Sequence, residues 1–235
     1  MTEQLSQFVL FGNFSSVNFD SLSKLTELKN KYGFSTNATN DIIIPSQNLD
    51  NQGQIIASQN FIQNMRPVFQ TEDNSSSVFF GSSRIHIERR NYDSNSYEVF
   101  NDMAIDIVKN LMENLDLKFI RIALNGQILL SDKKFMDELY QRLFNQSDLY
   151  SKNSDEWQLR IVSKENDETL KCGINKIISY NRTSYIDVST EKMDRLQIGY
   201  DFNTFFGIDK VFSIEEINYF NKQATEYRAL VISGK

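Results

Sequence analysis

The tightest constraint on the fold comes from two periodicities that meet near residue 96. "SSVFFGSSRIHIERRN" alternates apolar and polar residues around Gly81-Ser82-Ser83. It predicts a hairpin, with Val78 to Phe80 as one arm and Arg84 to Arg89 as the other. Ile85 and Ile87 then share one face, and Arg84, His86 and Glu88 share the other. "SYEVFNDMAIDIVKNLMENL" follows with helical spacing over about residues 96 to 115: Tyr97, Phe100, Met103, Ala104, Ile107, Val108, Leu111, Met112 and Leu115 form one wide apolar stripe. A sheet with one apolar face beside a helix with one apolar stripe has a simple solution. The helix covers the apolar face and the other face stays wet. The chain is therefore expected to be α+β, an antiparallel sheet with helices packed on one face.

The rest of the chain repeats this arrangement. "QFVLFGNF" (7–14) predicts a first strand, and "VNFDSLSKLTELKNKYGF" (17–34) a helix carrying Phe19, Leu22, Leu25 and Leu28 inward, capped by Asn18 or Asp20 and ended by Gly33. Residues 35–52 are polar apart from "DIIIP", where Pro45 allows only an edge strand. "QIIASQ" and "MRPVFQTED" read as strands. Past the long helix, "LKFIRIALNGQILLSD" (117–132) predicts one or two strands around Asn125-Gly126, a hairpin signal. "DKKFMDELYQRLFN" (132–145) predicts a helix capped by Asp132. "WQLRIVSKEN", "ETLKCGINKIISYN", "YIDVST" and "DRLQIGYDFN" predict an antiparallel meander. "SIEEINYFNKQATEYRALVIS" (213–233) closes with a helix opened by a Ser213–Glu216 capping box. Each half reads strand, helix, strands, helix, so residues 1–116 and 117–235 form either two similar α+β subdomains or one continuous domain.

Much chemistry is excluded. One histidine rules out multi-histidine metal sites, and one cysteine, Cys172, rules out an intrachain disulfide and cysteine-based zinc. No Gly-rich phosphate cradle and no GxSxG elbow occur, with only 9 glycines in the chain. Cys172, beside Gly173 in an apolar run, reads as a buried thiol. The strand carboxylates Asp73, Glu88, Asp187, Glu191, Asp194 and Asp201 would make a metal-dependent hydrolase or nuclease only if they converged. The expectation is no cofactor, no metal and no catalytic residue.

What remains is a surface. Arg84, Arg89 and Arg90 cluster around His86; Arg121 and Arg160 alternate with apolar residues on strands; Tyr92 and Tyr97 lie close in sequence. On one open sheet face these residues would dock RNA or an acidic protein partner. Asp102, Asp106 and Glu113 put acidity on the outer side of the long helix. The net charge of −6 argues against a general DNA coat. The lone cysteine suits a cytoplasmic setting, no apolar run is long enough for a membrane span, and open sheet edges leave a homodimer possible in principle. The Asn, Ile, Lys, Phe and Tyr content suggests an AT-rich coding genome, as in a low-GC bacterium or its phage.

"VFFGSSRIHIERRNYDSNSYEVFNDMAIDIVKNL" places strand, turn and strand before "Y..F" at a helix start, and "IRIALNG" follows as a strand with an Arg and an Asn. "LQIGYDFNTFFGIDKVFSIEEINYFNKQATEYRALVIS" adds a strand with an Asp, a loop and an aromatic-rich helix. This outline resembles a sporadic prokaryotic family of uncharacterised α+β proteins of similar length. The chain departs from it at Phe220 and Asn221, where the family's helix commonly carries a His, and it lacks the family's opening Pro-rich strand motif. The resemblance implies an α+β fold and a bacterial or mobile-element origin, and it implies no activity. The functional expectation is a non-enzymatic macromolecule-binding protein. Its concrete form is a phage- or mobile-element-encoded inhibitor or accessory factor on a bacterial defence complex, with a protein partner and nucleic acid reached through that complex. The alternatives are the carboxylate metalloenzyme and RNA binding by an Arg/Tyr sheet face.

Overall fold

The computed structural model describes residues 2–42, 48–49, 55–56, 63–144, 156–186, 192–205 and 210–233. Its centre is a nine-stranded antiparallel sheet. The first half contributes β1 (Thr2–Phe11), β2 (Phe34–Ile42), β5 (Gln63–Thr71), β6 (Ser76–Phe80) and β7 (Arg84–Asp93). The second contributes β8 (Arg121–Leu130), β9 (Trp157–Asp167), β10 (Cys172–Ile186) and β11 (Lys192–Thr204). A separate pair, β3 (Asn48–Leu49) and β4 (Ile55–Ile56), lies outside this sheet.

The strand order, β2-β5-β6-β7-β1-β8-β11-β10-β9, carries the internal echo. In each half the first strand is central, the chain crosses through a helix to the sheet's edge, and a meander returns to that first strand. β1 and β8 pair antiparallel, so the two halves are related by an approximate two-fold axis between them. They share one sheet and one core, which runs from Phe8 and Ile85 through Leu124 and Ile198.

The helices are α1 (Thr26–Tyr32), α2 (Tyr97–Leu115), α3 (Lys133–Phe144) and α4 (Ile214–Ser233). The apolar stripe of α2 is buried from Tyr97 to Leu111 against the sheet, as its spacing requires. Asp132 Oδ1 accepts from Phe135 N–H at the start of α3, and Ser213 and Glu216 make the reciprocal cap of α4. All the described helices lie on one side of the sheet.

Two segments differ from their sequence reading. The helix expected over 17–34 is a 3-10 turn (Ser21–Leu25) followed by the short α1, and Phe19 is exposed rather than inward. Asn18 does cap this segment, accepting from Ser21 N–H, and Gly33 ends α1 with φ 64°. Asn125-Gly126 is no turn: β8 runs unbroken from Arg121 to Leu130, paired with β1 on one side and β11 on the other. Gly126 serves close packing, because a Cβ there would collide with the Tyr200 hydroxyl and the Leu5 carbonyl oxygen. Of "YIDVST", Tyr185 and Ile186 end β10, and 187–190 lie outside the described residues. "QIIASQ" lies outside them except for Ile55 and Ile56, and of "DIIIP" only Asp41 and Ile42, the end of edge strand β2, are inside.

Beneath the middle of the sheet sits a buried polar network. A register shift between Glu3 and Leu5 against β8, with Asn91 in the left-handed region (φ 52°) on β7, interrupts the alternation, so Glu3 as well as Ser6 faces the helices. Glu3 takes a two-pronged ion pair from Arg228 of α4 at 2.8 and 3.1 Å, and the Tyr200 hydroxyl lies 3.0 Å away. Tyr92 donates to Ser6 Oγ at 2.7 Å, and the Arg228 guanidinium stacks on Tyr97. The network ties the first strand to the last helix.

Candidate functional site

Alternation along the strands assigns every other side chain to the face away from the helices. Cross-strand pairing gives its rows: Leu5 beside Arg90 and Gln127, Gln7 beside Glu88 and Asn125, Val9 beside His86 and Ala123, Phe11 beside Arg84 and Arg121. The rows continue through Gln197, Gly199, Asp201 and Asn203 on β11, Asn175, Ile177 and Ser179 on β10, and Arg160, Val162 and Lys164 on β9. Nine strands at a spacing of about 4.8 Å make this face roughly 40 Å wide. No described helix covers it.

Five of the residues singled out from sequence come together here: Arg84, His86, Arg90, Arg121 and Arg160. Three do not. Arg89 pairs across from the inward Ser6, and its guanidinium lies over the Tyr92 ring at 4.7 Å, on the helix side. Tyr92 and Tyr97 are buried there too, held by the core and by the network around Glu3. An Arg/Tyr surface is thus corrected to one of arginines, amides and phenylalanines. Phe79 meets the His86 ring edge-on at 5.9 Å, and the Arg121 guanidinium lies over Phe11 at 4.7 Å. Lys164, Arg195 and the amides Gln7, Asn125, Gln127, Gln197 and Asn203 were missed. Strand parity finds them once the register is known, as Arg160, Val162 and Lys164 at steps of two show.

The charge on this face opposes that of the chain. Among the described side chains in the body of the face are six cations (Arg84, Arg90, Arg121, Arg160, Lys164, Arg195) and three carboxylates (Glu88, Asp93, Asp201), a surplus of three. The whole chain is at −6, so everything else sums to −9. Glu88 is already neutralised by Arg90 at 2.8 Å and accepts from Gln7 and Ser77. Burial pushes its pKa up, but these partners outweigh burial and hold it below the ordinary range. On the helix side, Asp106 is occupied by Lys31 and Tyr32.

Asp201 behaves in the opposite way. Burial pushes its carboxyl up, against the Asn203 amide and the charges of Arg121 and Arg160. A folded-state pKa above the unfolded one means that ionisation costs stability, and the loss sets in as pH rises through the ordinary and then the raised value. Asp201→Asn, which keeps the acceptor for Asn203, is therefore expected to raise the urea midpoint at pH 7. The gain should vanish below about pH 4, where both states are protonated. A constant gain across that range would place the effect elsewhere.

Among the described residues the strand carboxylates do not converge. Asp194 pairs inward with Arg182 at 2.9 Å, while Asp201 faces outward. Asp187 and Glu191 lie outside the described residues, and among the described ones no cluster of three metal-binding side chains occurs. Cys172 is buried, and burial pushes its thiol up, away from the reactive thiolate. Among the described residues no helix is long and apolar enough to cross a membrane. Compared with known proteins, the chain matches no family model and no curated protein.

Proposed function

We propose that this is a non-enzymatic nucleic-acid-binding protein that receives a strand on the open face of its sheet. The observation that supports the reading is the charge segregation: a surplus of three positive charges among the described side chains of a face that no described helix covers, on a chain that is otherwise strongly acidic. Phosphates are attracted there and repelled elsewhere, which fixes where a polyanion docks. Phe79 with His86, and Phe11 with Arg121, offer ring and guanidinium faces for stacking between those cations. The amides between them are hydrogen-bond donors and acceptors suited to base edges. A cytoplasmic setting belongs to the same reading. An inhibitor or accessory factor of a defence complex would use this surface by competing for, or sharing, that complex's nucleic acid.

The test is fluorescence anisotropy with labelled single-stranded RNA, single-stranded DNA and duplex, from 50 mM salt upward. If all six cations meet phosphates of a single strand, log K should fall against log salt with a slope of about −4. Absence of binding by any of the three at low salt removes the reading. Stoichiometric co-purification of a protein that still binds after nuclease treatment would support a protein partner instead.

A further inference from the structure

A depression of about 250 Å³ opens near the middle of the uncovered face. It exists because β11 carries Gly199 there: a Cβ at that position would strike the Ser179 hydroxyl, which leans into the space from β10. Leu5 and Ile177 supply apolar walls, and Gln7, Asn125 and Gln127 bring amides to the rim. Asp201 supplies the only carboxylate in the lining. Its Oδ1 accepts from Asn203 Nδ2 at 2.9 Å, and among the described residues Oδ2 takes no hydrogen bond. The wall is thus an acceptor beside groups that can both donate and accept, with Leu5 and Ile177 as apolar flanks.

We propose that this depression takes one unpaired guanine of the bound strand, with Asp201 reading its Watson–Crick edge. The proposal rests on the face being a nucleic-acid track. An ionised carboxylate only accepts hydrogen bonds. Guanine presents two adjacent donors, the ring N1–H and the N2 amine, which match two carboxylate oxygens. Adenine and cytosine offer an amine beside a ring acceptor that faces the carboxylate unfavourably. Uracil and thymine offer one N–H between two carbonyl oxygens. The amides and Ser179 can meet guanine's O6 and N7. A base inside a duplex could not present this edge, so the site selects a single strand or an extruded base.

The experiment uses the full chain and four labelled uridine oligonucleotides that differ only at a central G, A, C or inosine. Inosine keeps N1–H and lacks the N2 amine. The wild type should bind the G strand on the order of tenfold more tightly than the A strand, with inosine between them. Asp201→Asn, checked for folding by its thermal midpoint, should bring the G-to-A ratio to within about twofold. Salt-dependent binding with equal affinity for all four strands, or a preference for G that survives in Asp201→Asn, overturns the guanine pocket and leaves the nucleic-acid reading standing. No binding by any strand at low salt overturns both. Free GMP is the remaining arm: GMP binding without oligonucleotide binding would make the depression a mononucleotide site and overturn the strand-bound proposal.

Discussion

Glu3→Ala is expected to lower the unfolding free energy by about 3–5 kcal/mol, because it strands the buried Arg228 guanidinium. Glu3 is fully buried and Arg228 nearly so; the pair is two-pronged, and Tyr200 and Ser6 both hydrogen-bond to the same carboxylate. Burial alone would lower the arginine's pKa, yet the bond to Glu3 outweighs it and keeps the guanidinium charged. Removing the carboxylate therefore leaves a cation without its counter-charge and at least one hydroxyl without its acceptor. For a chain of this size the melting temperature should drop by roughly 6–20 °C. Urea denaturation followed by Trp157, which packs among Tyr140, Phe144 and Tyr180, reads the effect. Replacing both charged residues, as in Glu3→Met with Arg228→Met, should cost less than Glu3→Ala alone, since the penalty is an unpaired charge and not a lost attraction. If Glu3→Ala costs less than about 1 kcal/mol, Arg228 reaches water in the variant, and the first strand and last helix are tied by packing instead.

The contrast between Glu3 and Ile85 shows what the sequence made legible. Ile85 and Ile87 fall on the buried face because alternation within β7 is unbroken there, and the same alternation sends Arg84 and His86 outward. The stripe on α2 was equally readable, since nine apolar residues at helical spacing leave one way to bury them. Glu3 was not readable: an irregularity near Gln4, opposite Asn91, turns it inward, and such a shift depends on the partner strand. The same shift explains Tyr92, which simple alternation from Ile87 would place outward but which is buried. Asn125-Gly126 misled for a related reason. The pair fits a hairpin turn locally, and only the approach of Tyr200 and Leu5 reveals why a glycine stands there. The open face itself was half visible. Its arginines stood out one by one, whereas the surplus of charge and the depression over Gly199 appear only when six strands from both halves, β7 to β9, lie side by side.

The triple variant Arg84→Glu, Arg160→Glu, Lys164→Glu is expected to weaken nucleic-acid binding on the order of a hundredfold or more at 0.1 M salt, with the fold intact. Each reversal changes the face by two charges, so a surplus of three becomes a deficit of three. The three side chains are exposed, on β7 next to the central strand and on edge strand β9, so their replacement should change stability by only about 0.5 kcal/mol each. Their spacing makes the result informative. A strand that crosses the sheet must pass both clusters, which stand about 24 Å apart across five strand spacings. Reversal of either cluster alone, Arg84→Glu or Arg160→Glu with Lys164→Glu, should then weaken binding and make the salt dependence shallower. If reversal on β9 has no effect while Arg84→Glu abolishes binding, the track is confined to the first half and the pocket over Gly199 lies beyond it. If the triple variant binds as the wild type does, phosphates do not meet this face. The positive surplus would then have to serve an acidic protein partner, which the same variant would release in a pull-down.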